Sequence, residues 1–228
     1  APRAFAQLPR PVHPFASHPA SDADDALRAL SAPSAVPLGG GTDLLVTIKE
    51  ELAHPDTLVD LRRLSGGRDI VLHDDGSARI GCAVRIADLA SHAGVAERYA
   101  ALAQAAASVG TPQLRNMGTI GGNLGQRPRC WYFRRGLPCY KNGGTECLAE
   151  RGENHYHALF TDGTCHAVHP SDPLVALTVL DARIEVTGTG GTREVSLDAL
   201  FAGASHNARC ETTLAVGEFI SAVLLPAT

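Results

Sequence analysis

Four cysteines, Cys130, Cys139, Cys147 and Cys165, fall within 36 residues, separated by eight, seven and 17 positions. Thiolates spaced along an irregular loop can wrap a metal centre, and soft sulfur ligands select zinc, Cu(I) or iron–sulfur. The short CxxC pairs usual at zinc are missing, which counts against zinc without excluding it. Unrelated buried thiols are the plain alternative. Trp131, Tyr132, Phe133 and Tyr140 could shield a centre from water or equally belong to a core. His155, His157, His166 and His169 lie nearby, but four cysteines already complete a site, so the histidines read as solvated or structural. Cys82 and Cys210 stand outside the run and read as inert small hydrophobes.

Two glycine-rich segments offer a different chemistry. Residues 37–45 read PLGGGTDLL, with a helix expected to begin directly after the glycines. Backbone N–H groups turned toward one point beside a helix start can hold a phosphate or pyrophosphate. The segment fits neither the Walker pattern nor GxGxxG, and an ordinary glycine turn is the competing reading. Residues 113–124 read QLRNMGTIGGNL, again with glycines for close backbone approach and with Asn116, Thr119 and Asn123 able to hydrogen-bond. Two such loops could grip a long, polar, phosphate-bearing cofactor from both sides. In HPSD, residues 169–172, Ser171 suits a helix N-cap. Asp172 suits either the helix dipole or a ligand hydroxyl or amide.

The elements that must position these segments follow from hydrophobic pattern and caps. A helix over 22–30 with Ser21 as its cap, strands over 35–38 and 57–61, and a helix over 44–50 suggest a small parallel βαβ unit. Past a linker near 62–68, residues 69–73 and 78–81 flank Asp74-Asp75-Gly76 as a hairpin. Helices are predicted over 86–92, 97–109 and 171–180. Strands are predicted over 183–187, 192–196 and 218–225, with irregular sequence from 113 to about 169. The 228 residues carry 20 Lys plus Arg against 24 Asp plus Glu, a net charge of −4, with 44% hydrophobic residues. That balance excludes disorder and argues against nucleic acid, which needs a cationic surface. No window reaches the roughly 18 apolar residues of a membrane helix. The opening lacks the apolar stretch of a signal peptide, and the only methionine is Met117.

Taken in order, GGGTDLL, LRNMGTIGGNL and HPSDPLVAL resemble the FAD-binding subunits of the molybdenum hydroxylase family that includes xanthine dehydrogenase. The resemblance covers about residues 35–228. The cysteine-bearing insert, RPRCWYFRRGLPCYKNGGTEC followed by Cys165, is similar to the subtype with an extra [4Fe–4S] cluster, of the aldehyde oxidoreductase kind. The resemblance implies an α+β, two-subdomain FAD-binding fold. A small N-terminal βαβ subdomain (1–64) would precede a larger one (65–228) with an antiparallel sheet, FAD in the cleft between, and the cluster loop at about 126–168. It implies that the backbone of Val36, Pro37, Leu38, Gly39, Gly40, Gly41, Thr42, Asp43 and Leu44 holds the pyrophosphate. Thr119, Gly122 and Asn123 would make the second FAD contact, and Asp172 a further polar one. Cys130, Cys139, Cys147 and Cys165 would hold the cluster.

The same resemblance implies an oxidoreductase subunit with no catalytic acid or base of its own. Substrate oxidation would belong to a molybdenum-cofactor large subunit. A [2Fe–2S] small subunit would pass electrons to FAD, which gives them to an external acceptor. The family's usual C-terminal domain is expected to be absent here, supplied if at all by a separate fragment of the same subunit. The implied compartment is the cytoplasm, or the periplasm if the chain is exported folded with a signal-bearing partner. The contrasting reading is a non-catalytic four-cysteine metal scaffold or assembly module without bound FAD.

Overall fold

The computed structural model describes residues 12–161, 163–203 and 207–227. Its first sheet has three parallel strands in the order β1-β3-β2: β1 (Ala16–Pro19), β2 (Ala35–Leu38) and β3 (Thr57–Asp60). The central strand is buried by Leu58 and Val59. Helix α1 (Ala23–Leu30) joins β1 to β2, and its buried face is Ala26 and Leu30. Its N-cap is Asp22, whose carboxylate accepts from the Asp25 N–H, rather than the expected Ser21. Ser21 instead bonds the Asp22 and Asp25 carboxylates through its hydroxyl. Strand β1 lies in an opening rich in proline and histidine, where no alternating pattern marks it. Strand β2 runs out into the first glycine segment, and α2 (Leu44–Lys49) follows. The segment therefore sits at the carboxyl end of a parallel strand, where open α/β sheets bind their ligands.

The second sheet has five antiparallel strands in the order β4-β5-β8-β6-β7. The hairpin β4 (Ile70–Leu72) and β5 (Ala78–Gly81) forms one side, and the hairpin β6 (Arg183–Gly188) and β7 (Gly191–Ser196) the other. The latest strand in the chain, β8 (Phe219–Leu225), lies between them and pairs with both β5 and β6. Buried Phe219, Ile220, Ala222, Val223 and Leu225 make it a core strand.

Helices α3 (Ile86–Ser91), α4 (Ala93–Arg98) and α5 (Ala100–Ser108) follow the first hairpin. The single helix expected over 97–109 is broken at Tyr99. This residue leaves helical geometry (φ −132°, ψ 54°) and is 1% exposed, with its hydroxyl against the Gly76 and Pro226 carbonyls. Burying that ring and satisfying its hydroxyl outweighs one helical turn. The stretch expected to be irregular contains short helices: α6 (Pro112–Met117), α7 (Ile120–Leu124) and α8 (Trp131–Arg134). Thr111 caps α6 and Thr119 caps α7 through their hydroxyls. Helix α9 (Asp172–Val179) is capped by Ser171 as expected, and α10 (Leu197–Phe201) by Ser196. Ala20, Ala26, Leu30 and Val59 from the first part pack in the same core as β5, β6, β8, α3 and α5. A smaller core of Leu38, Ile48 and Leu58 lies beside α2.

Candidate functional site

The two glycine segments meet face to face. A Cβ on Gly39 would press on the Thr119 hydroxyl and approach Gly122, and one on Gly40 would overlap the Met117 carbonyl. The glycines are therefore required first by each other's loop. The second loop is stitched to residues 82–86: Ile86 N–H donates to Gly118 O, Ile120 N–H to Val84 O and Gly121 N–H to Cys82 O, each at 2.9 Å. Thr119 is 2% exposed, and its hydroxyl accepts from the Gly122 N–H at 3.2 Å.

A cleft of about 370 Å³, open to solvent, runs along the joined loops. Its wall includes Val36, Pro37, Gly39, Gly40, Gly41, Thr42, Asp43 and Leu44 from the first loop and Thr119 and Gly122 from the second. Among the described residues, none accepts a hydrogen bond from the backbone N–H of Gly40, Gly41, Thr42 or Asp43. These unspent donors can take an anion. Leu38 is the exception in the first loop, because its side chain lies in the small core with Ile48 and Leu58. The volume falls within the roughly 300–1,000 Å³ of a pocket for a drug-sized ligand.

A second cavity of about 150 Å³ adjoins the cleft and shares Thr42, Asp43, Gly122 and Gln126 with it. Asn123 and exposed Asp172 line this second space. Asn123 Oδ1 accepts from the Ser171 hydroxyl at 2.5 Å, which ties the second glycine loop to the start of α9. His169 is a strut in the same corner. Its Nε2 faces the Leu124 carbonyl at 3.2 Å, and its Nδ1 accepts from the Ser171 N–H at 3.3 Å. Burial pushes His169 below the usual imidazole range, which suits a neutral Nε2–H tautomer.

All four clustered cysteines line one small cavity of about 10 Å³, with Tyr132, Phe133, Tyr140, Lys141 and His157 among the other wall residues. Trp131 stands behind this wall, its ring edge-on to His157 at 4.9 Å. His157 Nε2 lies 3.1 Å from Cys130 Sγ. Burial raises the Cys130 thiol, opposed in part by the Phe133 and Tyr132 N–H groups. Cys165 is raised likewise, opposed by the Ala167 N–H and the Lys141 charge. Among the described residues, no three His, Cys, Asp or Glu side chains form a ready-made metal-holding group. Lys141 carries the most telling charge. Its side chain is 3% exposed, and Nζ lies 2.9 Å from Glu211 Oε1, an ion-pair distance without hydrogen-bond geometry. A buried ammonium with unspent donors beside four thiols fits an anionic thiolate centre.

Cys82 is buried at 4% exposure and its thiol is pushed up to about 12, as expected of an inert hydrophobe. Cys210 is exposed, which corrects that expectation for it. Gln126, Arg127, Lys141 and Glu211 also belong to the walls of these spaces. Sequence motifs do not reveal them, because the first three are scattered in the insert and Glu211 is remote. Among the described residues no helix is long and apolar enough to cross a membrane.

Known proteins share the sequence and the fold of this chain. The aldehyde oxidoreductase FAD-binding subunit PaoB of Escherichia coli (strain K12) is 41% identical over 208 residues, 90% of this chain and 65% of that protein. The nicotinate dehydrogenase FAD-subunit of Eubacterium barkeri is 26% identical, covering 82% of this chain and 49% of that one. The chain thus spans about half to two thirds of the length of these relatives. Among solved structures, reconstituted CO dehydrogenase from Oligotropha carboxidovorans superposes with a TM-score of 0.69 at 24% identity, covering 94% of this chain and 60% of that one. Residues 13–228 match the family described as the FAD binding domain in molybdopterin dehydrogenase, and the chain belongs to that family.

Proposed function

We propose that this chain is the flavin-binding, electron-transfer part of a molybdenum-containing hydroxylase of the aldehyde oxidoreductase kind, and that its cysteine cavity holds a [4Fe–4S] cluster. When bound, FAD and the cluster supply the electron-carrying chemistry, while the protein binds and tunes them. In this reading the N–H groups of residues 40–43 take the FAD pyrophosphate. Val36, Pro37, Gly39 and Leu44 wall its path, Leu38 buttresses the loop from below, and Thr119 and Gly122 close the other side. Asn123 and Asp172 face the adjoining cavity, where the Asn123 Nδ2–H donates to, and the Asp172 carboxylate accepts from, a further polar part of the cofactor. Cys130, Cys139, Cys147 and Cys165 each ligate one iron. Such a centre needs thiolates ringed around a volume rather than converging on one atom. Lys141 offsets their negative charge.

Substrate oxidation falls to a molybdenum-cofactor large subunit. Electrons arrive through a [2Fe–2S] small subunit and leave to an external acceptor. We place the chain in the cytoplasm, or in the periplasm if it is exported folded with a partner. The observation that carries the reading is that a cleft walled by both glycine loops and a cavity walled by all four cysteines meet at the Lys141–Glu211 pair, 2.9 Å apart. PaoB, the 41% identical relative, is named as an aldehyde oxidoreductase FAD-binding subunit, which supports the substrate class.

The test is an absorption spectrum of the isolated protein with flavin, iron and zinc analysis. Flavin bands, broad cluster absorption and about four irons per chain are expected. A colourless protein with one zinc per chain would overturn the reading in favour of a metal scaffold. Cluster absorption without flavin at any FAD concentration would reduce the chain to an assembly module.

A further inference from the structure

We infer that Asp43 is a positioning residue that couples the cleft to the cysteine cavity, so that metal at the four cysteines tightens FAD binding and FAD helps retain the metal. This rests on the flavin and cluster reading above. Asp43 belongs to the first glycine loop and is the N-cap residue of α2, yet its carboxylate makes no capping bond. It turns instead to the cysteine insert. Oδ2 accepts from the Arg127 N–H at 2.8 Å, Oδ1 accepts from Arg134 Nη2 at 2.7 Å, and Arg129 Nη1 lies 3.2 Å from Oδ1. The Asp43 and Arg134 side chains are only 13% and 12% exposed, so solvent screens this pair far less than a surface one.

Arg134 is itself held in one place. Its Nε donates to the Pro128 carbonyl at 2.8 Å and its Nη2 to the Arg127 carbonyl at 3.0 Å. It ends α8, whose N-cap is Cys130, and Cys139 follows five residues later. The buried ring of Phe133, the residue before Arg134 in α8, lines the cysteine cavity and carries the Arg127 guanidinium on its face at 4.5 Å. Metal bound at Cys130 and Cys139 pins both ends of this segment, and Arg134 with it. Arg134 then holds Asp43, and Asp43 holds the loop whose N–H donors line the cleft. Without metal the segment loosens, and the partly buried carboxylate loses its strongest partner.

A second fastening runs parallel. Glu211, on the cleft wall, meets Arg127 at 3.1 Å and Lys141 of the cysteine cavity at 2.9 Å. Coupling between two sites is reciprocal in free energy, so each ligand must favour the other by the same factor.

The experiment uses the protein as isolated, with whatever subunits it retains. FAD affinity is measured by fluorescence titration before and after anaerobic iron removal. Iron retention against a fixed chelator concentration is measured with and without saturating FAD. Iron loss should weaken FAD about tenfold, and FAD should favour iron retention by a similar factor. In Arg134→Gln both ratios should fall toward one while iron and flavin still bind, and Arg134→Lys should restore part of the coupling. If Arg134→Gln does not fold, Arg134→Lys serves, since it keeps the charge but loses the fixed fork between Asp43 and the Pro128 carbonyl, and its ratios should fall between one and the parent's. Ratios of one in the parent, or unchanged ratios in the variant, overturn the inference while leaving both sites standing. A protein that binds FAD but never iron overturns the cluster reading, and the coupling with it.

Discussion

Replacing Gly40 with alanine probes what the glycine loops are for. The new Cβ would overlap the Met117 carbonyl and come within 2.8 Å of Gly118 Cα. These atoms are backbone, so no flexible side chain can swing aside, and relief requires the two loops to part. Overpacking of this kind costs about 1–3 kcal/mol. At about 2–4 °C per kcal/mol for a chain of this size, Tm should fall by about 2–12 °C. Parting the loops also misaligns the N–H donors of residues 40–43. One lost hydrogen bond to a charged group is worth about 1.5–3 kcal/mol, so FAD should bind about 10- to 150-fold more weakly. The assays are thermal unfolding and flavin titration. Gly190→Ala is the control, because a Cβ there meets nothing within 4 Å. Parental Tm and parental flavin affinity in Gly40→Ala would refute the loop-contact argument. Parental Tm with lost flavin would also refute it, since the Cβ would then be colliding with the cofactor instead of Met117.

Three further outcomes are expected. Tyr99→Phe removes the hydroxyl that reaches the Gly76 and Pro226 carbonyls at 2.7 and 2.9 Å. It should cost about 1–2 kcal/mol in urea unfolding, and an unchanged midpoint would contradict the role given to that hydroxyl. Alkylation of the folded, metal-loaded protein at about pH 8, read by mass spectrometry, should label exposed Cys210 first and spare Cys82, whose thiol is pushed up to about 12; fast labelling of Cys82 would mean the sheet opens there. Burial holds His169 below its ordinary 6.5, so the unfolded chain takes up that proton at a higher pH than the folded one. Its share of stability is therefore constant above about pH 6.5, shrinks as pH falls toward the lowered folded value, and levels off below it. His169→Gln should flatten that part of the stability profile, and an unaltered profile would show that His169 is not the group responsible.

Local signals were legible wherever an element is specified by its own residues. Strand β2, the hairpin β4–β5 and helix α9 with its Ser171 cap follow from hydrophobic pattern, Asp-Asp-Gly turn chemistry and cap preference. Strand β1 was not legible, because its partner β3 lies about 40 residues away and pairing alone defines it. The break at Tyr99 was hidden for a similar reason. An alanine-rich run favours one long helix, and only the distant carbonyls of Gly76 and Pro226 make the interruption favourable.

The candidate site divides along the same line. Residue type and order alone identified two loops that tolerate close approach, four thiols in one short span, and the family these segments resemble. A glycine says that something comes near, but not what. Only the folded chain shows that Gly39 and Gly40 face Thr119 and Met117. The sequence likewise marks Asp43 as part of a phosphate-type loop, whereas packing turns its carboxylate to Arg134, 91 residues further on. Lys141 and Glu211 carry no motif, and they matter because burial brings their charges together between the cleft and the thiols. Backbone tolerance and ligand type are properties of single residues and short spacings. The direction of a side chain, and the partner that neutralises it, depend on contacts distant in sequence, which only the tertiary structure decides.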